Sequence, residues 1–274
     1  MSRLPAIVLP VTLLLTFSAS VQETRPAGVQ QTSTAPVTDV TGANAPEPNE
    51  ELRADILMAR KMYPDAIAIY QTLLIKEPKN AVMLNKIGIA YQQEGDANRA
   101  ERFYKQSVKA DRANASALNN LGTIQYGKKK YRKAIRLYKQ ALDYRSDMPT
   151  LYSNLGYAYF AEKKFNDAMS EFQKALALDP EIFAHHGGFG TVVQQRSVED
   201  YPKFYFLVAK AYALAGNVEQ CAHYLKMARD EGYKDLDSVR KDPAFSKVLD
   251  DPRIEEVLQT STATAITPKN SQRP

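Results

Sequence analysis

The residues that could support catalysis or bind a metal are few in this chain. It contains three histidines, His185, His186 and His223, and one cysteine, Cys221. A zinc site needs three or four converging ligands, and the chain has neither a His-Glu-x-x-His pair nor a second cysteine to complete one. A local nucleophile signature such as Gly-x-Ser-x-Gly is also absent. We therefore expect no catalytic residues, no metal and no cofactor.

Three glycines at a fixed period show how the rest of the chain is organised. Gly88, Gly122 and Gly156 lie 34 residues apart. Each is followed after 12 residues by an alanine and after 16 by an aromatic ring: Ala100 and Tyr104, Ala134 and Tyr138, Ala168 and Phe172. A glycine inside a helix is about 1 kcal/mol less favourable than alanine, so its recurrence indicates close helix packing. A period of this length predicts a repeat array.

The spacing resembles that of the tetratricopeptide repeat family, whose units combine Leu-Gly-x-x-Tyr, Ala-x-x-x-aromatic and an exit proline. The unit at 149–182 matches best, through Tyr152, Leu155, Gly156, Tyr159, Ala168, Phe172, Ala175 and Pro180. Units at 81–114 and 115–148 keep the glycine and the alanine, and a unit at about 47–80 keeps Ala66, Tyr70 and Pro78. The resemblance implies an all-α fold, a right-handed α-solenoid of antiparallel helix pairs.

A fifth unit, at 202–235, follows an insertion. Ala209 lies 53 residues after Gly156 instead of 34, so 19 residues, 183–201, are additional. In this unit Cys221 takes the place of the repeat alanine, and we expect it to be a small buried packing residue. Residues 236–259 contain two Asp-Pro helix-start motifs, at Asp242 and Asp251, and should form C-terminal capping helices.

The insertion at 183–201 is glycine-rich but lacks the pattern of a phosphate-binding loop. His186-Gly187-Gly188-Phe189-Gly190 does not follow a strand and does not end in Gly-Lys-Ser/Thr. Insertions in repeat arrays fall on loops at one face, often where partners bind. We therefore expect either a partner-docking loop or a neutral spacer.

The two ends of the chain have different compositions from the repeats. Residues 1–20 combine a basic start, an apolar run at 4–17 and small residues, the pattern of a secretory signal peptide. This predicts export to the periplasm or cell envelope; the alternative is an uncleaved N-terminal anchor. Residues 21–49 should be a disordered Pro/Thr-rich linker, 50–259 the repeat domain and 260–274 a disordered tail. We expect no integral membrane span in the mature chain.

The basic residues are concentrated in the third unit. The chain has a formal net charge of +5, and six cations follow one another closely: Lys128, Lys129, Lys130, Arg132, Lys133 and Arg136. A solvated helix face and a patch for an anionic surface or polymer both fit such a run. No base-stacking motif is interleaved with it, so no nucleic-acid partner is expected.

The resemblance implies that the first helix of each unit lines a concave groove. The residues expected to face a peptide there are Asn85, Ile89, Gln92, Asn119, Asn120, Thr123, Tyr126, Asn154, Tyr157 and Phe160. Asn120 and Asn154, 34 residues apart, should lie one above the other and hold a peptide backbone with their amides. Alternatively, the asparagines are structural and the aromatic residues contact the next unit.

One function of some relatives does not fit these residues. The carboxylate clamp that binds chaperone tails needs Lys and Asn in one first helix, Asn in the next, and Lys and Arg in the third. In the same order, this chain has Asn85, Ile89, Asn120, Thr150 and Asn154, so only Asn120 fits. We therefore expect a non-catalytic protein–protein interaction scaffold or adaptor. It would hold a peptide segment or partner subunit in the groove, in cell-envelope assembly or secretion. The alternative is a binder of an anionic surface or polymer through the basic third repeat. The oligomeric state stays open.

Overall fold

The computed structural model describes residues 49–184 and 198–264, with side chains as far as residue 259. All regular structure within these residues is helical. The α-helices are α1 (Glu50–Ala59), α2 (Tyr63–Lys76), α3 (Ala81–Gln93), α4 (Ala97–Ala110), α5 (Ala115–Gly127), α6 (Tyr131–Tyr144), α7 (Pro149–Ala161), α8 (Phe165–Leu178), α9 (Tyr201–Ala215), α10 (Val218–Asp230) and α11 (Pro252–Thr264). Two 3-10 helices lie at Leu236–Arg240 and Pro243–Phe245. Consecutive helices pack as pairs that stack on one another, which confirms the predicted all-α solenoid.

Short polar side chains and prolines define where the helices begin. The side chains of Asn80 and Asn114 accept hydrogen bonds from backbone N–H groups in the first turns of α3 and α5, and Asp96 does the same for α4. These bonds satisfy donors that have no partner within the helix. Pro64 and Pro149 lie in the first turns of α2 and α7, where a missing N–H is tolerated.

The turn inside each of the first four pairs places one residue in the left-handed region. Lys61, Gly95, Lys129 and Lys163 follow one another at 34-residue intervals, with φ of 61°, 86°, 56° and 60°. Of these four residues, only Gly95 adopts the left-handed conformation without strain. For a residue with a Cβ atom this conformation costs about 1–2 kcal/mol. In the third unit the nearby glycine, Gly127, is the last residue of α5, and Lys129 adopts the left-handed conformation of the turn.

The periodic glycines let an aromatic ring of the second helix touch the backbone of the first. A Cβ atom on any of them would lie 2.4–2.5 Å from a ring carbon; the pairs are Gly88–Tyr104, Gly122–Tyr138 and Gly156–Phe172. All three rings are fully buried. The glycine is therefore required by close approach within each helix pair.

The fifth pair enters the array in the opposite direction. Helices α3, α5 and α7 run antiparallel to the helices before them, because loops of only four residues join them. Near the start of α9, however, Lys203 lies 3.6 Å from the ring centre of Phe165 at the start of α8. Near their ends, Tyr212 of α9 and Leu176 of α8 line one cavity. Helix α9 therefore runs parallel to α8. The predicted fifth unit keeps the helical hairpin of a repeat but not its orientation.

The C-terminal segment closes the array against α10. Asp242 and Asp251 accept backbone hydrogen bonds at the starts of the second 3-10 helix and of α11. Val239 and Ile254 are fully buried beneath these elements. Helix α11 continues to Thr264, so residues 260–264, predicted as part of the disordered tail, are helical.

Several predicted segments lie outside the described residues. These are the signal peptide at 1–20, all but the last residue of the linker at 21–49, the insertion from 185 to 197 and the tail from 265 onward. Among the helices that are described, none is long and apolar enough to cross a lipid bilayer.

Candidate protein-interaction surface on the first helices

Asparagine pairs join the first helices side by side. The Nδ2 of Asn120 in α5 donates to Oδ1 of Asn85 in α3 at 3.0 Å, and the Nδ2 of Asn154 in α7 donates to Oδ1 of Asn119 at 2.7 Å. The predicted stacking of Asn120 on Asn154 is therefore replaced by bonds between residues 35 apart. Each bond joins the residue three positions before the periodic glycine of one unit to the residue two positions before the periodic glycine of the next unit. These amides fix neighbouring units to one another.

The same 35-residue relation places a charged cluster between α1 and α3. The Nζ of Lys86 lies 2.8 Å from Glu51 and 2.7 Å from Asp55, and the Tyr70 hydroxyl also donates to Asp55. Burial raises the pKa of Asp55, but the hydrogen bonds from Lys86 and Tyr70 outweigh it and lower the pKa overall. Both partners therefore stay charged at neutral pH. This cluster was not foreseen, although the 35-residue spacing of Glu51 and Lys86 is present in the sequence.

Two of the predicted groove residues contact the hydroxyl group of the buried tyrosine in their own unit. The Tyr104 hydroxyl donates to Oε1 of Gln92 at 2.7 Å. The Tyr138 hydroxyl lies 3.3 Å from Oγ1 of Thr123, and both groups are buried. Where the ring carries a hydroxyl, a polar side chain stands above it on the first helix. In the fourth unit the ring is Phe172, which has no hydroxyl, and the ring of Tyr157 meets it edge-on at 5.7 Å.

The three aromatic residues predicted to face the groove are buried in the core. Tyr157 is 1 % exposed and stacks on Phe204 of α9 with 5.1 Å between ring centres. Phe160 meets the same ring edge-on at 5.6 Å. Tyr126 packs against Tyr131 at 5.2 Å. The reversed α9 places Phe204 on α7 and covers two of the residues that were predicted to face a peptide in the fourth unit.

The open part of the inner face is confined to the first three units. Its partly exposed members, which we call the inner strip, are Lys86, Ile89, Gln92, Asn119 and Asn120. The remaining predicted residues, Asn85, Thr123, Tyr126, Asn154, Tyr157 and Phe160, are buried.

Two asparagines of the inner strip each have one amide end with no hydrogen-bond partner among the described residues. Asn119 uses its Oδ1 for Asn154, which leaves its Nδ2 donors, and Asn120 uses its Nδ2 for Asn85, which leaves its Oδ1 acceptor. Ile89 lies nearby in α3 as a half-buried apolar side chain. The strip thus offers a donor, an acceptor and a small apolar surface, on side chains whose other ends are held in place.

The residues considered for chemistry are dispersed or buried. Cys221 is fully buried, as expected, and burial raises the pKa of its thiol to about 12. His223 is exposed on α10, and His185 and His186 lie outside the described residues. Within 49–184 and 198–259, no three His, Cys, Asp or Glu side chains are placed to hold a metal ion.

Family profiles identify the repeats. Profiles of the tetratricopeptide repeat match residues 81–114 and 149–182, and a TPR repeat profile matches residues 126–162. The chain therefore contains tetratricopeptide repeats (TPR) within residues 81–182. No curated protein sequence matches this TPR protein.

Solved structures of other TPR proteins resemble this chain over 68–78 % of its length. PilF from Pseudomonas aeruginosa matches 78 % of this chain and 88 % of its own, with a TM-score of 0.50 and 18 % identity. MamA from Desulfovibrio magneticus matches 68 % of this chain and 94 % of its own (TM-score 0.48, 17 % identity). YrrB, described as a TPR protein with an unusual peptide-binding site, matches 70 % and 89 % (TM-score 0.46, 16 % identity). At these identities the likeness concerns the fold alone.

Proposed function

We propose that this TPR protein is a non-catalytic scaffold or adaptor that holds an extended segment of a partner protein along the inner strip. The observation that carries this proposal is the pair of amide ends on Asn119 and Asn120 that no described residue uses. An amide donor and an amide acceptor can bind the backbone N–H and C=O groups of an extended segment whatever its sequence. Ile89 adds a small apolar contact beside them.

The bonds between units make this surface ready for binding. Asn85–Asn120, Asn119–Asn154 and the ion pairs of Lys86 hold the first helices in register before any partner arrives. Binding therefore needs little ordering of side chains, which is a main cost of association. The inner strip is therefore rigid, and its few exposed side chains would determine which segments it binds.

The reversed fifth pair limits the length of the segment. Because Phe204 covers Tyr157 and Phe160, the strip ends at α5. The two first helices that carry the strip, α3 and α5, lie about 8–10 Å apart. An extended chain rises about 3.3 Å per residue, so roughly three residues span the distance between these helices.

Selection from a random peptide library tests the proposal. Peptides selected on the wild-type protein should lose binding to Ile89→Arg, because a charged group would replace the apolar contact of the strip. They should keep binding to the matched control Ala68→Arg, which adds the same side chain at an exposed position of α2. Equal binding to both variants, or no enrichment on the wild type, would contradict the proposal.

We further propose that the protein acts in the cell envelope after export. The support is the composition of residues 1–20, which has the charge, apolar run and small residues of a secretory signal. Fractionation with mass spectrometry of the mature N-terminus should find an envelope protein that begins at Val21. A cytosolic protein that retains Met1 would contradict this location.

A further inference from the structure

The repeats allow the outer face of the second helices to be compared unit by unit. Three outward positions recur at the 34-residue period. In α4 and α6 all six are cations: Arg99, Arg102, Lys105, Lys133, Arg136 and Lys139. In α2 and α8 none is a cation: Asp65, Ala68, Gln71, Asp167, Ser170 and Gln173. All six cations are exposed, and we call them the basic face.

The fold itself does not require these cations. Helices α2 and α8 occupy the same place in their units with acidic or neutral residues, and each packs on the first helix of its own unit as α4 and α6 do. Solubility would be served equally by charges of either sign spread over all four units. The concentration of one sign on two adjacent helices therefore indicates a function for this face.

Nearby carboxylates neutralise only part of this charge. Arg99 pairs with Asp96 at 2.9 Å, and Lys105 pairs with Glu101 at 2.7 Å. These are exposed pairs on the helix surface, where screening makes each interaction weak.

The other members of the basic face have no carboxylate partner among the described residues. The guanidinium of Arg102 lies 5.6 Å over the ring of Phe103, and Lys139 lies 5.7 Å over the ring of Tyr159. Lys133 and Arg136 are exposed and unpaired within the same part of the chain. The face therefore keeps a clear excess of positive charge.

We propose that the basic face docks this protein on an anionic lipid bilayer. Clusters of four to eight Lys and Arg on helices are attracted to anionic headgroups, with about fivefold in binding for each cation near the surface. Among the exposed large apolar side chains of the described residues, only Tyr144, the last residue of α6, lies on either of the two basic helices, so the contact is mainly with headgroups. The basic face lies on second helices and the inner strip on first helices, so the proposal stands independently of peptide binding.

Other polyanions fit this surface less well. Single-stranded nucleic acid is held by aromatic rings on which its bases stack. The rings that underlie the basic face, Phe103 and Tyr138, are buried and cannot serve in this way. A planar array of headgroups needs no such rings and no groove.

Vesicle flotation with the mature chain, from Val21 onward, tests the proposal. We expect binding to vesicles containing about 30 % phosphatidylglycerol and none to pure phosphatidylcholine, with binding lost as NaCl rises from about 0.05 M to about 0.5 M. A triple variant, Arg102→Gln, Lys133→Gln and Arg136→Gln, should lower the partition coefficient by roughly 100-fold. The matched control removes three exposed cations elsewhere: Lys79→Gln, Lys234→Gln and Lys241→Gln. It should bind nearly as well as the wild type.

A gain-of-charge variant keeps the test decisive if the triple variant folds poorly. Asp65→Lys, Ala68→Arg and Gln71→Lys would extend the basic face onto α2 and should strengthen vesicle binding at least tenfold. Equal binding to neutral and anionic vesicles, or equal losses in the triple variant and its control, would overturn the proposal. Tighter binding to duplex DNA or polyglutamate than to the vesicles would also overturn it and identify a different polyanion.

Discussion

Replacing Gly156 with alanine tests the helix contact that recurs through the array. The new Cβ atom would lie 2.4 Å from a ring carbon of Phe172, whereas carbon atoms in contact are about 3.5–4.0 Å apart. The ring would have to move by about 1 Å or more. It is fully buried and meets the rings of Tyr157, Phe183 and Phe204 at 5.7, 5.2 and 6.0 Å. It has no open space to move into.

The expected loss of stability follows from two opposing terms. Alanine gains about 1 kcal/mol over glycine in a helix interior. Overpacking of a closed core costs about 1–3 kcal/mol, and the enclosing rings place Gly156→Ala at or beyond the upper end. We expect a net loss of about 2 kcal/mol in the free energy of unfolding. Adding Phe172→Leu removes the ring edge, so the double variant should recover about 1–2 kcal/mol of that loss.

Gly127→Ala is the matched control. Gly127 is also helical, but no atom lies within 4 Å of the place that a Cβ would take, so alanine should be neutral or stabilising by up to about 1 kcal/mol. The chain has no tryptophan, so urea unfolding is followed by far-UV circular dichroism. The reasoning is refuted if Gly156→Ala is as stable as the wild type, or if leucine at position 172 fails to recover stability.

Three further experiments test the left-handed turns, the ion pairs of Glu101 and the buried thiol of Cys221. Lys129 and Gly95 both have positive φ, so Lys129→Gly should raise the free energy of unfolding by about 0.5–1 kcal/mol and Gly95→Lys should lower it by a similar amount. Urea midpoints of the two variants that shift in the same direction would contradict this. Burial raises the pKa of Glu101, but hydrogen bonds from two lysines outweigh it and lower the pKa from 4.5 to about 2. Its contribution is therefore present above pH 4.5 and lost as the pH falls toward 2, so the stability gap to Glu101→Gln should close on acidification and not widen. Cys221 should react with a thiol reagent only after unfolding, because burial raises its pKa to about 12; an equal rate in the folded protein would contradict its burial.

The helices of the first four units could be predicted because their spacing records local packing. Gly88, Gly122 and Gly156 mark a contact within one helix pair, and a contact between residues 16 apart leaves a direct trace in the sequence. The start of α2 at Pro64 was predictable for the same reason, since a proline at the first turn acts locally.

The direction of the fifth pair could not be predicted in this way. Ala209, Gly216 and Cys221 keep the spacing of a helical hairpin, and that spacing is the same whichever end of the array the hairpin enters. Only contacts between α8 and α9, such as that of Lys203 with Phe165, distinguish the two orientations. The additional residues at 183–201 were the one sign in the sequence that the regular path is broken.

The sequence contains a sign that several of the predicted groove residues are buried. Gln92 and Thr123 stand above tyrosine rings and bond their hydroxyls, whereas Tyr157 and Phe160 stand above a phenylalanine. This match between the ring and the residues above it indicates packing within the unit. The asparagine bonds were harder to foresee, because they join positions 35 residues apart and not 34.

The central claim, that the inner strip holds a segment of a partner protein, is tested most directly by photo-crosslinking in cells. Benzoylphenylalanine would replace Ile89 in the inner strip or, as the control, Ala68 on the exposed side of α2. We predict discrete protein adducts from position 89, with the crosslinked residues of the partner lying in one short extended segment, and none from position 68. Adducts from both positions alike, or from position 68 alone, would contradict the claim.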